Sequence, residues 1–335
     1  MTNENKITVK DVVSKLGTLI ALFILCVILA FATPNFLKQS NLMAVLKQTT
    51  SNALICVGML MCLITAGIDL SVGANAITVG CVMGMMLKHG ITNPVLLLAA
   101  GLGFGTLIGW INGTLLTRLH LPHPFVSTLG MKNVLCGFAL LIVDSKMVSG
   151  FPDGVTWLGS ATLPKSVPVI GGFPICFLVV ILIYVVMHIF LTHTSLGRAI
   201  YCVGGNPDAA RMSGINSANV LTFCYTLSGF MCAVAGIVLV GRTGVANGAN
   251  ALQPYDTDAI ASCIIGGASF MGGKGTMVGT MIGALTIAIL RNGLTLLNAQ
   301  SDIQYIVIGF VIIFAVLIDV VRAQMEARAR RLAAK

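Results

Sequence analysis

Long apolar stretches run along almost the whole chain, separated by short polar breaks that are rich in Gly, Pro and Asn. Because lipid offers no hydrogen-bond partners to the backbone, repeated apolar stretches predict membrane-crossing helices. The predicted helices lie at about 17–33, 46–66, 70–88, 94–117, 124–144, 173–191, 218–241, 256–270, 276–296 and 303–321. The 256–270 segment is short and could be re-entrant, and the 46–66 and 70–88 pair could form one broken helical hairpin.

The composition supports the same architecture. Of 335 residues, 56% are hydrophobic and 9% are charged, and the mean hydropathy is +0.95. We therefore expect an all-α membrane protein, a polytopic bundle of about ten transmembrane helices. A single transmembrane domain should cover 1–335, with a cytoplasmic N-terminal segment at 1–16 and a basic cytoplasmic tail at 322–335.

The net charge of +9 reflects the loops and tails rather than a nucleic-acid surface. With the N-terminus placed in the cytoplasm, twelve basic residues fall on the cytoplasmic side and six fall outside. This asymmetry follows the positive-inside rule and predicts that both termini are cytoplasmic. The ten cysteines are scattered through apolar stretches without a C-x-x-C pair, which is typical of small buried residues.

A weak internal repeat is also present. Gly105-Thr-Leu-Ile-Gly109 recurs as Gly279-Thr-Met-Ile-Gly283, a shift of 174 residues. The same shift superposes the second helix on the seventh, so that five helices separate the matched elements. An inverted 5+5 repeat is typical of transporters.

Charged residues within predicted helices are few. Lys132 and Arg291 could snorkel to the nearer interface, or they could pair with a carboxylate or line a hydrated passage. Asp69 precedes an apolar run and is expected to cap a helix. The sequence contains no intramembrane carboxylate relay, no metal-ligand spacing and no catalytic set, so neither a metal site nor an enzyme is predicted.

Neutral polar residues are more frequent in the predicted spans. The candidate pathway residues are Gln48, Asn52, Asn133 and Asn292. Such side chains could bond helices to one another, or they could line a passage for a neutral polyhydroxylated solute, which needs donors and acceptors but no charge. We expect Lys132 and Arg291 to stay off that passage.

Two cytoplasmic segments carry recognisable patterns. Gly267-Ala-Ser-Phe-Met-Gly-Gly-Lys-Gly275 fails as a phosphate loop, because Gly follows the lysine where Ser or Thr is needed, so it predicts a tight turn and no ATP hydrolysis by this chain. The loop at 192–217 predicts a short helix over 206–216. Asn206 suits its cap, Pro207 its first turn and Gly214 its end.

The chain resembles ABC importer permeases of the ribose/galactose/xylose type. The resemblance runs from about Pro34 to Asp319 and rests on four segments besides the short cytoplasmic helix: Gly67-Ile-Asp-Leu-Ser-Val-Gly73, Gly204-Gly-Asn-Pro207, Tyr255-Asp-Thr-Asp-Ala-Ile-Ala261 and Gly272-Gly-Lys-Gly275. Asp208 stands where the broader coupling motif favours Glu. The resemblance implies that the ATPase-coupling residues are Asn206, Pro207, Asp208, Ala209, Ala210, Arg211 and Gly214.

The resemblance also implies the partners. These are a second permease copy in a homodimer, a cytoplasmic tandem ATPase that binds MgATP, and a periplasmic sugar-binding protein; this chain itself needs no cofactor. Outward-facing Arg242, Asp256 and Asp258 would receive the binding protein. The expected function is ATP-driven import of a monosaccharide, a ribose-like pentose or a hexose, across the bacterial inner membrane. The alternatives are another polyol-like solute, such as an autoinducer or a cyclitol, and an ion-coupled secondary carrier.

Overall fold

The computed structural model describes residues 9–119, 121, 123–164, 166 and 171–333. Thirteen α-helices lie in this part of the chain: α1 Val9–Ala32, α2 Gln39–Ile64, α3 Val72–Lys88, α4 Pro94–Thr117, α5 Pro124–Ile142, α6 Asp153–Ser160, α7 Ile175–His193, α8 Ser195–Gly205, α9 Pro207–Met212, α10 Ser217–Thr243, α11 Tyr255–Ile265, α12 Met277–Leu296 and α13 Ser301–Ala333. A short antiparallel pair, β1 Val148–Ser149 and β2 Val245–Ala246, and a 3₁₀-helix over Gly248–Leu252 complete the described elements.

Seven of the described helices are long and apolar enough to cross a membrane. They are α2, α4, α5, α7, α10, α12 and the first part of α13. The apolar part of α1, Gly17–Ala32, and α3 are shorter. The prediction of an all-α polytopic membrane protein is therefore confirmed, and each of the ten predicted segments contains a helix, but only seven meet the length and hydropathy of a full span.

Hydropathy alone misplaced several boundaries. Helices α1 and α2 begin about seven residues before the predicted starts, and α13 continues through the basic tail to Ala333. Helices α6 and α8 were not predicted, since α6 is short and α8 has one polar side. Polar and basic residues extend a helix readily outside the lipid core, where apolar windows do not detect them.

The centre of the bundle is formed by α2 and α10. In their most apolar windows, 83% of α2 and 72% of α10 is buried, against 6% of α13. Helix α10 packs on α2, α3 and α4. Eight of the ten cysteines are buried and all ten are free, so the predicted role as small core residues holds except at Cys26, which is half-buried, and the exposed Cys202.

The chain breaks between α2 and α3 inside the bundle, so the predicted break is confirmed, whereas the hairpin stays a prediction. Ala66 has a positive φ of 58° there. The buried Asp69 carboxylate accepts hydrogen bonds from the backbone N–H and the hydroxyl of Ser71 (3.0 and 2.6 Å) and from the Ser228 hydroxyl (3.1 Å). Asp69 thus binds a backbone amide at the helix start as expected, although Ser71 rather than Asp69 is the cap residue. Backbone groups at the break also find partners within the protein: the Leu70 N–H donates to the Thr128 hydroxyl (3.2 Å), and the Ile64 carbonyl accepts from the Gly273 N–H (2.8 Å).

Candidate functional site

A cavity of about 250 Å³ lies between α2, the end of α10, α11 and α12. The polar side chains in its lining carry amide groups, hydroxyl groups, one carboxylate and two guanidinium groups. The lining residues are Gln48, Ser51, Asn52, Arg242, Gln253, Pro254, Tyr255, Asp258, Ile287, Ala288 and Arg291. This cavity can therefore offer both hydrogen-bond donors and acceptors to a polar solute.

Two ion pairs hold the first turn of α11 at the cavity edge. Lys132 Nζ on α5 lies 2.6 Å from Asp256 Oδ2. On the other side, the Arg291 guanidinium on α12 donates from Nε to Asp258 Oδ2 (2.9 Å) and from a terminal nitrogen to Asp258 Oδ1 (2.7 Å). Since residues two apart on a helix point to different faces, α11 is tied to α5 and α12 in different directions. The sequence left snorkelling and pairing open for both cations, and the structure pairs them.

The structure brings two of the four predicted pathway residues to the cavity. Gln48 and Asn52 line it. The Asn52 amide nitrogen donates to the Ser262 hydroxyl (3.0 Å). Among the described residues, no partner is found for the buried Asn52 Oδ1 or for the buried hydroxyl of the neighbouring Ser51. Buried polar atoms without partners are costly, so these two atoms suit a bound polar molecule.

The other two predicted pathway residues lie elsewhere. The Asn292 side chain is buried against Asn41, and the two amides exchange hydrogen bonds of 3.0 and 2.9 Å. Asn133 is exposed on α5 and bonds only its own helix at the Leu129 carbonyl (3.2 Å). Neither lines the cavity, because Asn292 is turned toward Asn41 and Asn133 lies on the exposed face of α5. Arg291, which we expected to stay off the passage, is a lining residue.

The three predicted docking residues also occupy unexpected positions. Asp256 and Asp258 are buried, and the ion pairs above turn both carboxylates into the bundle, so these two do not form an exposed docking surface. Arg242 reaches over α2 and donates to the carbonyls of Lys47 and Gln48, both at 3.4 Å. Sequence reasoning took acidic residues near a loop as exposed, and the basic partners lie 124 and 33 residues away in the chain.

The predicted coupling residues form a small exposed element. The Asn206 side chain accepts from the Ala209 N–H (3.0 Å), Pro207 opens α9, and Gly214 has a positive φ of 81°. Asp208 and Arg211 are exposed, whereas Ala210 is buried in the core. The predicted capping is confirmed, and α9 presents charge outward while one alanine anchors it.

Among the polar cavity residues, sequence reasoning missed Gln253 and Tyr255, and it included Ser51 only as a member of the polar run at 48–52. The sequence carried a signal for Ser51 and for Tyr255. Ser51 lies one position before Asn52 in a polar run, and Tyr255 opens the Tyr255-Asp-Thr-Asp segment that carried the resemblance. Gln253 gave no comparable signal, because it lies in an irregular loop whose position depends on the tertiary fold.

Comparisons with known proteins agree along nearly the whole chain. The family described as branched-chain amino acid transport system / permease component matches residues 41–316. The ribose import permease protein RbsC of Bacillus subtilis is 37% identical over 95% of this chain and 96% of its own length. RbsC of Escherichia coli K12 is 37% identical over 90% of this chain and 92% of its own.

The galactose/methyl galactoside import permease protein MglC of Escherichia coli K12 is 32% identical over 90% of this chain and 93% of its own. No solved structure gives a significant match. The family match covers more than half of the chain, and the relatives are transport permeases of almost the same length. The chain belongs to the branched-chain amino acid transport system / permease component family and is a transport subunit rather than an enzyme.

Proposed function

We propose that this chain forms the transmembrane passage of an ATP-driven, binding-protein-dependent importer for a monosaccharide. The observation that carries the proposal is the 37% identity with ribose import permeases over almost the full length of both chains. Relatives named for allose, galactose and fructose transport match at 32–34% identity. A ribose-like pentose or a hexose is therefore the proposed solute.

The cavity chemistry supports a neutral polyhydroxylated solute. Ser51 and Asn52 carry buried polar atoms without described partners, and Gln48 and Gln253 add amides beside them. Sugar hydroxyls both donate and accept, so they can pair with such groups without a net charge. Of the three charged groups at the cavity, Asp258 and Arg291 pair with each other, and Arg242 donates to backbone carbonyls of α2.

The helix pairing supports an inverted repeat. Under the 174-residue shift, α2 corresponds to α10 and α4 to α12. Helix α2 packs on α12 just as α10 packs on α4, and α3 packs on α4 and α5 as α11 packs on α12 and α13. In the proposed transport cycle, one half rocks against the other around the cavity.

The proposed partners supply the energy for transport and define the cytoplasmic and periplasmic sides of this chain. A cytoplasmic tandem ATPase would bind MgATP and dock on α9, where Asp208 and Arg211 offer exposed charges. A second copy of this chain would complete the passage as a homodimer, and a periplasmic sugar-binding protein would deliver the solute near the cavity. Both termini are then cytoplasmic, in the inner membrane of a bacterium.

Uptake by the complete transporter tests the proposal. The permease, reconstituted with its ATPase in proteoliposomes, is supplied with the loaded binding protein outside and ATP inside, and radiolabelled ribose, allose, galactose and leucine are compared. We expect sugar accumulation that needs ATP and persists with a protonophore. Accumulation that stops with the protonophore would indicate an ion-coupled carrier, and leucine uptake without sugar uptake would overturn the choice of solute.

A paired substitution tests the proposed coupling role of α9. Asp208→Lys reverses an exposed charge, and Gly214→Val forces a β-branched residue into a left-handed conformation at the end of the helix. Each should lower ATP-driven uptake without changing membrane insertion. Unchanged uptake in both variants would rule out α9 as the coupling element. Asn219→Lys, at an exposed site on α10, is the matched surface control.

A further inference from the structure

The glycine-rich turn at 266–276, between α11 and α12, is in direct backbone contact with α2 and α8. The Gly273 N–H donates to the Ile64 carbonyl at the end of α2 (2.8 Å). A Cβ on Gly204 of α8 would lie 1.7 Å from that same carbonyl oxygen, and a Cβ on Gly272 would lie 2.6 Å from the Gly204 oxygen. Only glycine permits three backbones to meet this closely.

A side chain ties α8 to the same turn. The Tyr201 hydroxyl donates to the Gly275 carbonyl at 2.7 Å, from a half-buried position on α8. Helix α8 ends at Gly205, and α9 begins at Pro207, so one residue separates this contact helix from the proposed ATPase-docking helix. A displacement of α9 therefore has a short route to the turn.

A hydrogen bond closes the turn, and α11 leads directly into it. The Ser269 N–H donates to the Lys274 carbonyl (3.2 Å), and the Asp319 carboxylate of α13 accepts from the Ser269 hydroxyl (3.1 Å) and the Phe270 N–H (3.2 Å). On the other side, α11 runs without a break from the turn to Tyr255. Its far end carries Asp256 and Asp258, and the Asp258–Arg291 ion pair lines the cavity.

We propose that the turn at 266–276 is a mechanical joint that passes the movement of α8 and α9 to α11 and so to the cavity, with Tyr201 as the positioning residue that engages it. The inference rests on the proposed function, because it takes α9 to be the element that the ATPase moves. It gives the Gly-rich segment, which lacks the features of a phosphate loop, a role in transmitting ATP-driven motion.

Tyr201→Phe removes the hydroxyl and keeps the ring. The matched control is Tyr184→Phe, since the Tyr184 hydroxyl also donates to a backbone carbonyl, that of Ala53 at 2.8 Å, but joins α7 to α2 away from the turn. Both variants are reconstituted in the complete transporter. We measure ATP hydrolysis with and without loaded binding protein, sugar uptake, and the thermal midpoint.

In Tyr201→Phe, we expect assembly and basal ATP hydrolysis to be unchanged and the sugar imported per ATP to fall roughly two- to ten-fold, as one lost hydrogen bond allows. Tyr184→Phe should keep the wild-type ratio whatever its thermal midpoint. A wild-type ratio in Tyr201→Phe, or an equal fall in both variants, would overturn the joint.

A probe just before α11 separates this inference from the proposed function. Leu252 is 68% exposed just before α11, and Leu252→Cys in a cysteine-free background accepts a fluorescent label there. ATP should change the label's signal, and the added Tyr201→Phe should reduce that change while Tyr184→Phe does not. This response needs no transported solute, so it tests the joint even if no tested sugar is imported. An ATP response that is equal with and without the Tyr201 hydroxyl would overturn it.

Discussion

Helix α10 packs against α4 in one way, and the first turn of α11 meets its neighbours in another. At the α4–α10 contact, Gly105 and Gly109 face Gly229, and a Cβ on Gly229 would lie 2.3 Å from the Gly105 oxygen. The contact is made of backbone and small residues. Around the first turn of α11, by contrast, buried carboxylates pair with basic side chains from two other helices beside a cavity. The other end of α11 packs as α10 does, since a Cβ on Gly283 of α12 would lie 1.8 Å from the backbone oxygen of Ser262.

The two regions show two different ways in which the helices of this chain are held together. Small-residue contacts bring helices close without polar groups, and their energy comes from van der Waals packing over a shape that tolerates no displacement. Ion pairs and amides hold helices through a few directional contacts, which can be exchanged for others and leave room for a polar solute. We therefore regard α4–α10 as a fixed part and the first turn of α11, at the cavity, as a movable part.

The largest expected effect comes from breaking the fixed contact. A Cβ on Gly109 would lie 2.3 Å from the backbone carbonyl oxygen of Tyr225 and 2.8 Å from the Gly229 Cα. Backbone atoms cannot move aside as the end of a flexible side chain can. Gly109→Ala should therefore destabilise the protein by about 3 kcal/mol or more. The yield of folded protein and the thermal midpoint in detergent measure this effect.

Gly103→Ala on the same helix is the matched control. A Cβ at Gly103 would have no atom within 4 Å, so only the helix propensity changes, by about 1 kcal/mol in favour of alanine. If Gly109→Ala were as stable as Gly103→Ala, the close α4–α10 contact would not be a rigid part of the fold.

Breaking an ion pair at α11 should have the next largest effect. Arg291→Met leaves the Asp258 carboxylate buried without its bidentate partner. Because the Arg291 side chain is 28% exposed, we expect the free energy of unfolding to fall by about 2–4 kcal/mol, at the lower side of the range for buried pairs. The double variant Arg291→Met with Asp258→Asn removes the stranded charge and should recover part of the thermal midpoint. A double variant less stable than the single one would show that charge burial is not the cause.

The sequence predicted the membrane architecture well because apolar windows and glycine breaks are local signals. The cap at Asn206, the break near Asp69 and the turn at 266–276 were all visible in the same way, since a few adjacent residues determine each of them. The helical extension beyond residue 321 and helices α6 and α8 were missed because hydropathy does not report helix formation outside lipid.

The cavity was only half predictable because it is made by distant residues. Gln48 and Asn52 were found as part of a polar run, but no local pattern indicates that Asn292 turns to Asn41 or that Asn133 faces outward. The partners of Asp256 and Asp258 come from α5 and α12, so the burial of both carboxylates depends on tertiary packing. Local sequence identified the polar groups and the fold determined which of them meet.

A smaller effect is expected inside the cavity, on transport rather than stability. Asn52→Leu removes the lining amide with its buried oxygen, and a sugar hydroxyl that loses one such partner loses about 1 kcal/mol of binding. Uptake should fall roughly five-fold while ATP hydrolysis stimulated by the loaded binding protein persists. Asn133→Leu, on the exposed face of α5, should leave uptake unchanged. Equal loss in both variants would remove Asn52 from the proposed pathway.

The smallest expected effect is at an exposed ion pair, which contrasts with the buried pairs at α11. Lys88 Nζ lies 2.8 Å from Asp144 Oδ2 in the turn after α5, and this hydrogen bond and charge lower the pKa of the Asp144 carboxyl below its ordinary value of 3.8. A carboxyl whose pKa is lower in the folded state stabilises the fold at pH values above its unfolded pKa. It loses this effect as the pH falls through its folded pKa.

The wild type should therefore have a slightly higher thermal midpoint than Lys88→Met at pH 7, and the difference should vanish as the pH is lowered through and below the ordinary pKa of the carboxyl. High salt should reduce the difference at pH 7, because exposed pairs are screened. A difference that stays constant from pH 7 to the acid limit would assign the effect of Lys88 to packing of its aliphatic chain rather than to the ion pair.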